Sequence, residues 1–100
     1  MLIDQTEIFS DWLRGINDRR AKAMILNHID RMEDGNFGIA AAVGAGIFEK
    51  KIDYGPGYRL YYCQIEKSWV LLLCGGDKST QQPNIDQAKE IMREIKWAKQ

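Results

Sequence analysis

The segment Tyr54-Gly55-Pro56-Gly57-Tyr58-Arg59 constrains this chain more than any other. Glycine reaches φ > 0 without steric cost and proline pre-sets φ, so the segment reads as a hairpin turn. It launches an aromatic-rich strand, Tyr58 to Cys63, and draws Lys50 and Lys51 toward Arg59. A second glycine pair, Gly75-Gly76, closes a later strand and leads into Asp77-Lys78-Ser79-Thr80. Basic side chains at adjacent strand ends can build an anion site on a very small sheet.

With 100 residues, the chain is expected to form one domain over 1–100 with one small core. Formal net charge is zero, which argues against coating nucleic acid through bulk charge but leaves room for a local basic patch. No apolar run approaches the ~20 residues that span a bilayer, and the start, Met1 to Glu7, lacks the basic opening of a signal peptide. A cytoplasmic protein with no membrane partner is expected.

Thr6 is a helix N-cap, followed by Ile8, Phe9, Trp12, Leu13 and Ile16 at helical spacing. That helix ends near Gly15. Asn17-Asp18 caps a second, with Ala21, Ile25, Ile29 and Met32 on one stripe and Gly35 as the stop. Arg14, Arg19, Arg20, Lys22 and Arg31 decorate the outer faces, either as solvated surface or as contacts to a partner helix or RNA. Residues 39–46 are small, apolar and glycine-punctuated, consistent with an extended edge segment that is either core or a partner groove. Strands follow at roughly 47–53, 58–65 and 69–75. The unbroken apolar run Trp69–Cys74 implies a strand covered on both faces or nearly so. Pro83-Asn84 opens a last helix with Ile85, Ala88, Ile91, Met92 and Ile95 on one face; Trp97 either packs back or anchors a partner. The order α-α-β-β-β-α, an antiparallel meander with helices on one side, is an α+β two-layer domain.

Catalytic motifs of the familiar kinds are absent. Gly55-Pro56-Gly57 is too short to cradle a pyrophosphate, and the single histidine, His28, lies mid-helix beside the apolar stripe, where a structural or surface role is expected. A turn near Glu66-Lys67-Ser68 pairs residue 63 with about 70 or 71, so Cys63 and Cys74 are offset by three or four residues at ~3.3 Å each. That is too far for a disulfide. The expectation is no metal and no cofactor.

What remains is a set of cations with tyrosines. An odd-length hairpin loop puts Lys51 opposite Arg59 on one face, and an even one puts Lys50 there. Lys78, after the third strand, can reach the same concavity. Arginine grips a phosphate bidentately and lysine stabilises it as a point charge. Such a site, without histidine, can promote attack by a ribose 2′-OH on its own phosphate. Tyr58, Tyr61 and Tyr62 are either packing residues or stacking surfaces for unpaired bases.

The chain resembles the RelE/ParE superfamily of bacterial toxin–antitoxin toxins, and within it the HigB-like addiction module killer proteins. The resemblance runs nearly end to end. It is carried by Phe9-x-x-Trp12-Leu13, Gly35-Asn36-Phe37-Gly38, Val43-Gly44-x-Gly46, the block from Ile52 to Tyr62, and Leu72 to Gln81. It implies a RelE-like α-α-β-β-β-α fold and a toxin restrained by a cognate antitoxin, usually a helix-turn-helix protein, through which alone operator DNA is met. It implies a ribosome-dependent mRNA endonuclease that needs no metal and inhibits translation. By position, Lys51, Arg59 and Lys78 would be catalytic: Arg59 on the scissile phosphate, Lys51 and Lys78 in charge stabilisation and proton movement. Lys50, Tyr58 and Tyr61 would contact RNA. A DNA gyrase-inhibiting toxin and a weakened module that binds antitoxin or regulates its operon are the alternatives.

Overall fold

The computed structural model describes residues 1–98, with side chains as far as residue 95; the side chain of Trp97 lies outside the described residues. The elements are β1 (Leu2–Gln5), α1 (Glu7–Arg14), α2 (Arg19–Glu33), β2 (Ala40–Gly44), β3 (Ile47–Ile52), β4 (Tyr58–Glu66), β5 (Trp69–Asp77), a single 3-10 turn (Lys78–Thr80) and α3 (Gln81–Ala98). The sheet order is β1-β5-β4-β3-β2. The four strands from β2 to β5 pair antiparallel, and β1 adds a parallel edge to β5.

Both first helices start on the residues their chemistry selects. Thr6 Oγ1 accepts from the Phe9 amide at 3.0 Å and donates to the Leu73 carbonyl at 2.6 Å, so one hydroxyl caps α1 and ties it to β5. Asp18 accepts from the Arg20 and Ala21 amides at the head of α2. Its other carboxylate oxygen accepts from the Tyr54 hydroxyl at 3.2 Å, which anchors the hairpin turn to α2. Gly35, at φ +86°, ends that helix. Asp77 and Thr80 form a capping box around the 3-10 turn, and Pro83 falls in the first turn of α3, where a missing amide costs no helix bond.

The α+β class forms as expected, but the helices occupy both faces of the sheet. On one face, Phe9 of α1 and Ile25, Ile29 and Met32 of α2 pack on Ile52, Leu60, Tyr62, Val70 and Leu72. On the other, Ile85, Ala88 and Ile91 of α3 pack on Ile47, Tyr61, Cys63, Leu73 and Cys74. Three layers therefore replace the two with helices on one side. The run Trp69–Cys74 is apolar because both faces of β5 are covered. A bulge sets Tyr61 opposite Cys74 and Tyr62 opposite Leu72, so Leu73 and Cys74 both join the α3 core.

Most of residues 39–46 lies outside the core: Ala40, Ala41 and Ala42 are exposed on edge strand β2 and Ile39 is 89% exposed, while Val43 alone packs half-buried against the α3 side. Cys63 lies across from Leu71 and Cys74 across from Tyr61, so the cysteines are not cross-strand partners. Burial pushes the Cys74 thiol up to about 12, and it donates to the Asn84 carbonyl at 3.3 Å. Among the described residues no helix is long and apolar enough to cross a membrane.

Candidate functional site

The hairpin loop settles the register. Ile52 pairs with Tyr58, so five residues intervene, and Lys51 lies directly across from Arg59. Gly55 and Gly57 take φ of +56° and +79°, the left-handed values for which the turn needs glycine. The turn folds back against the segment after β5: a Cβ built on Gly57 would lie 3.6 Å from Lys78 Cβ. Lys51, Arg59 and Lys78 thereby line one cavity of about 410 Å³, closed by Ile52, Asp53, Gly57 and Tyr58. Lys51 and Lys78 are exposed, whereas Arg59 is only 7% exposed.

Arg59 is held from behind by a buried carboxylate that sequence reasoning missed. Glu49 is 3% exposed and shares the Arg59 face two residues before Lys51. Its Oε2 accepts from the Tyr61 hydroxyl and from Gln81 Nε2, both at 2.9 Å, and stands 3.6 Å from Arg59 Nε. Burial, then the bond to Glu49, raises the Tyr61 hydroxyl well above its ordinary value, so it remains a donor. Arg59 Nε and Nη1 are buried with no hydrogen-bond partner. A buried charged group with open donors costs stability unless something fills them. Nε faces Glu49, and Nη1 shares the end edge of the guanidinium with Nη2, the edge that fits an oxyanion. The alternation of Glu49, Lys51 and Asp53 on one strand was the available signal for Glu49. Its burial under α3 was not visible.

Glu49→Gln should therefore destabilise the fold by about 2–3 kcal/mol, since it removes the buried carboxylate that faces Arg59. The urea midpoint checks this; an unchanged midpoint would mean that Glu49 does not balance Arg59.

The structure decides between the alternatives left open for the three tyrosines and Lys50. Tyr61 is fully buried and bonded to Glu49, so it is not a base-stacking surface. Tyr62 is buried between Phe37 and Phe48, with ring centroids 5.6 Å from each. Tyr58 lines the cavity, but its ring meets Trp12 edge-on at 6.3 Å. Lys50 faces the opposite side of the sheet from Arg59, because adjacent strand residues alternate. It is 3% exposed, and its Nζ donates to the Phe37 carbonyl at 2.8 Å. No acid pairs with it among the described residues. Burial, then the Arg31 charge, lowers its pKa. It belongs to a second cavity of about 390 Å³ between α2 and β3, with His28, Arg31, Asn36 and Gly38. Lys50→Met should raise stability by about 1 kcal/mol, because a desolvated unpaired charge costs more than one hydrogen bond to a carbonyl returns. Thermal melts check this; a lower Tm would show that Lys50 is a structural strut.

No family model matches the chain. A chain in the crystal structure of the intact E. coli RelBE toxin–antitoxin complex superposes with a TM-score of 0.59 at 19% identity, covering 76% of this chain and 94% of that one. The solution structure of a conserved hypothetical protein from Helicobacter pylori gives a TM-score of 0.49 at 17% identity, covering 79% and 96%. The RelE-like fold implied by the sequence resemblance is thus the fold observed. An uncharacterized protein of Haemophilus influenzae is 47% identical over 93 residues, 93% of this chain and 94% of the relative. At that identity and span, this chain belongs to one family with the Haemophilus influenzae protein.

Proposed function

We propose that this chain is the toxin of a toxin–antitoxin pair and that it cleaves mRNA on the ribosome, as a HigB-like member of the RelE/ParE superfamily. The observation that carries the reading is the convergence of Lys51, Arg59 and Lys78 on one cavity, with Arg59 Nη1 buried and without a hydrogen-bond partner. The fold supports it, since it is shared with a chain of a toxin–antitoxin complex.

In this reading a backbone phosphate enters the cavity and fills the open donors of Arg59. The ribose 2′-oxygen attacks the adjacent phosphorus, the P–O5′ bond breaks, and the products are a 2′,3′-cyclic phosphate and a 5′-hydroxyl. The proton lost from the 2′-hydroxyl is balanced by the one gained on the 5′-oxygen. Charge accumulates on the non-bridging oxygens in the transition state, and Arg59 stabilises it there. Lys51 and Lys78, exposed on the rim, add charge and exchange protons with solvent. Tyr58 offers the rim an aromatic edge for a base. The partner that restrains the toxin is a cognate antitoxin, of helix-turn-helix type, which alone meets operator DNA.

Inducible expression with growth and transcript monitoring tests the proposal. Growth arrest with new transcript ends inside coding regions is the expected result. Arrest with a DNA damage response and intact mRNA would replace it with a gyrase-directed toxin. Normal growth with tight antitoxin binding would leave only a binding and regulatory module.

A further inference from the structure

The second cavity, between α2 and β3, has no part in the chemistry above, and three of its features need a cause. First, Lys50 is a buried cation with no acid partner among the described residues, and its ammonium is seated where a Cβ on Gly38 would come within 2.8 Å of Nζ. Second, His28 Nδ1 is buried and has no hydrogen-bond partner. Third, exposed Arg31 lines the same cavity without an ion pair among the described residues. Three nitrogen groups thus surround an open space, and Asp53 is the one acid among its lining residues against Arg31, Lys50 and Lys51. Lys50 donates to the Phe37 carbonyl, but its charge and that of Arg31 have no acid partner among the described residues, and an oxyanion is the ligand that would balance both.

Position decides which oxyanion. The two cavities share Lys51, Ile52 and Asp53. β2 pairs with β3 only as far as Lys50, so residues 51–53 form a free edge beyond the end of β2. The cavities lie on opposite faces of the sheet and meet around this edge. A chain of regularly spaced anions could occupy both by passing over it. Asp53, on the shared rim, divides the cationic surface into two clusters rather than one.

We propose that the cavity walled by His28, Arg31 and Lys50 is a second oxyanion site, which holds a backbone phosphate of the same RNA strand that Arg59 grips. The strand part of the claim rests on the function proposed above; the oxyanion part does not. Occupancy changes the protonation of His28. In the free protein, burial lowers its pKa, and so do the charges of Lys50 from β3 and Arg31 from α2. An anion between these groups neutralises them and favours the imidazolium, so binding takes up a proton and strengthens as pH falls through the His28 range.

His28 is the chain's single histidine, so its imidazole can be titrated by NMR without assignment ambiguity. Inorganic phosphate and a short 2′-O-methyl oligoribonucleotide, which lacks the nucleophilic hydroxyl, are the two probes. Phosphate should raise the His28 pKa in the wild type and equally in Arg59→Ala. Arg31→Ala, at an exposed position, should weaken that response about tenfold, and Arg31→Lys should recover part of it. The oligonucleotide should move His28 in the wild type and do so more weakly in Arg59→Ala. A His28 titration unmoved by phosphate, or moved equally in Arg31→Ala, would overturn the site. A response to phosphate but none to the oligonucleotide would overturn its assignment to an RNA strand. An oligonucleotide response undiminished in Arg59→Ala would sink the role given to Arg59 and leave this site standing.

Discussion

Arg59→Ala should lower RNA cleavage by roughly 10²–10³-fold, the cost of deleting one transition-state donor from a preorganised site. It should also cost stability, about 2–3 kcal/mol, because Glu49 is left as a buried carboxylate without its facing cation. Two features keep that cost from being larger. Arg59 Nε and Nη1 make no hydrogen bond, so no protein acceptor is orphaned by their loss. Glu49 would keep its bonds from Tyr61 and Gln81 after the substitution. Arg59→Lys should not rescue activity, because an ammonium cannot present two parallel donors to one phosphate. Cleavage rates and urea midpoints, measured on the same preparations, separate the two effects. A large loss of stability with unchanged cleavage would make Arg59 a core residue and nothing more.

Gly75→Ala should be strongly destabilising, at about 3 kcal/mol, or a Tm lower by roughly 10–20 °C. Gly75 lies across from Leu60 on the face that α1 covers, and a Cβ there would lie 2.3 Å from two ring atoms of Trp12. The indole has little freedom to withdraw. It contacts Phe9, with ring centroids 5.5 Å apart, and Tyr58. Tyr58 lines the cationic cavity, so displacement of Trp12 is transmitted to the site as well as to the core. Trp12→Leu should relieve part of the cost, which a double-mutant cycle in urea would register as a coupling of about 1 kcal/mol or more. Additive effects would mean that the glycine serves the backbone alone.

The glycines illustrate how the chain could be read and where reading stopped. Gly55 and Gly57 announce themselves, because two glycines flanking a proline between apolar runs have one economical structure. Helix caps were equally legible: Thr6, Asp18 and Gly35 act within a few residues of themselves, so local sequence contains the whole cause. Gly75 and Gly76 were visible as a pair, but their reason is contact with Trp12 and with Asn84, residues distant in sequence or on another layer. The strand β1 was not legible. Its four residues carry one core side chain, Ile3, and its identity as a strand lies in bonds to β5, more than sixty residues away. The run Trp69–Cys74 already implied a covering on both faces, yet helical periodicity says nothing about which face a helix takes. α3 therefore had to be seen in place. For the site, residue types were legible and register was not. The count of five loop residues sends Lys51 toward Arg59 and Lys50 away from it, and a one-residue difference would have exchanged them.

Primer extension on a defined mRNA, translated by purified ribosomes in the presence of this chain, tests the central claim most directly. The account predicts new 5′-hydroxyl ends within the reading frame, upstream fragments ending in 2′,3′-cyclic phosphate, and loss of both with Arg59→Ala. Intact mRNA alongside wild-type protein, or cleavage that Arg59→Ala leaves at full rate, would contradict it.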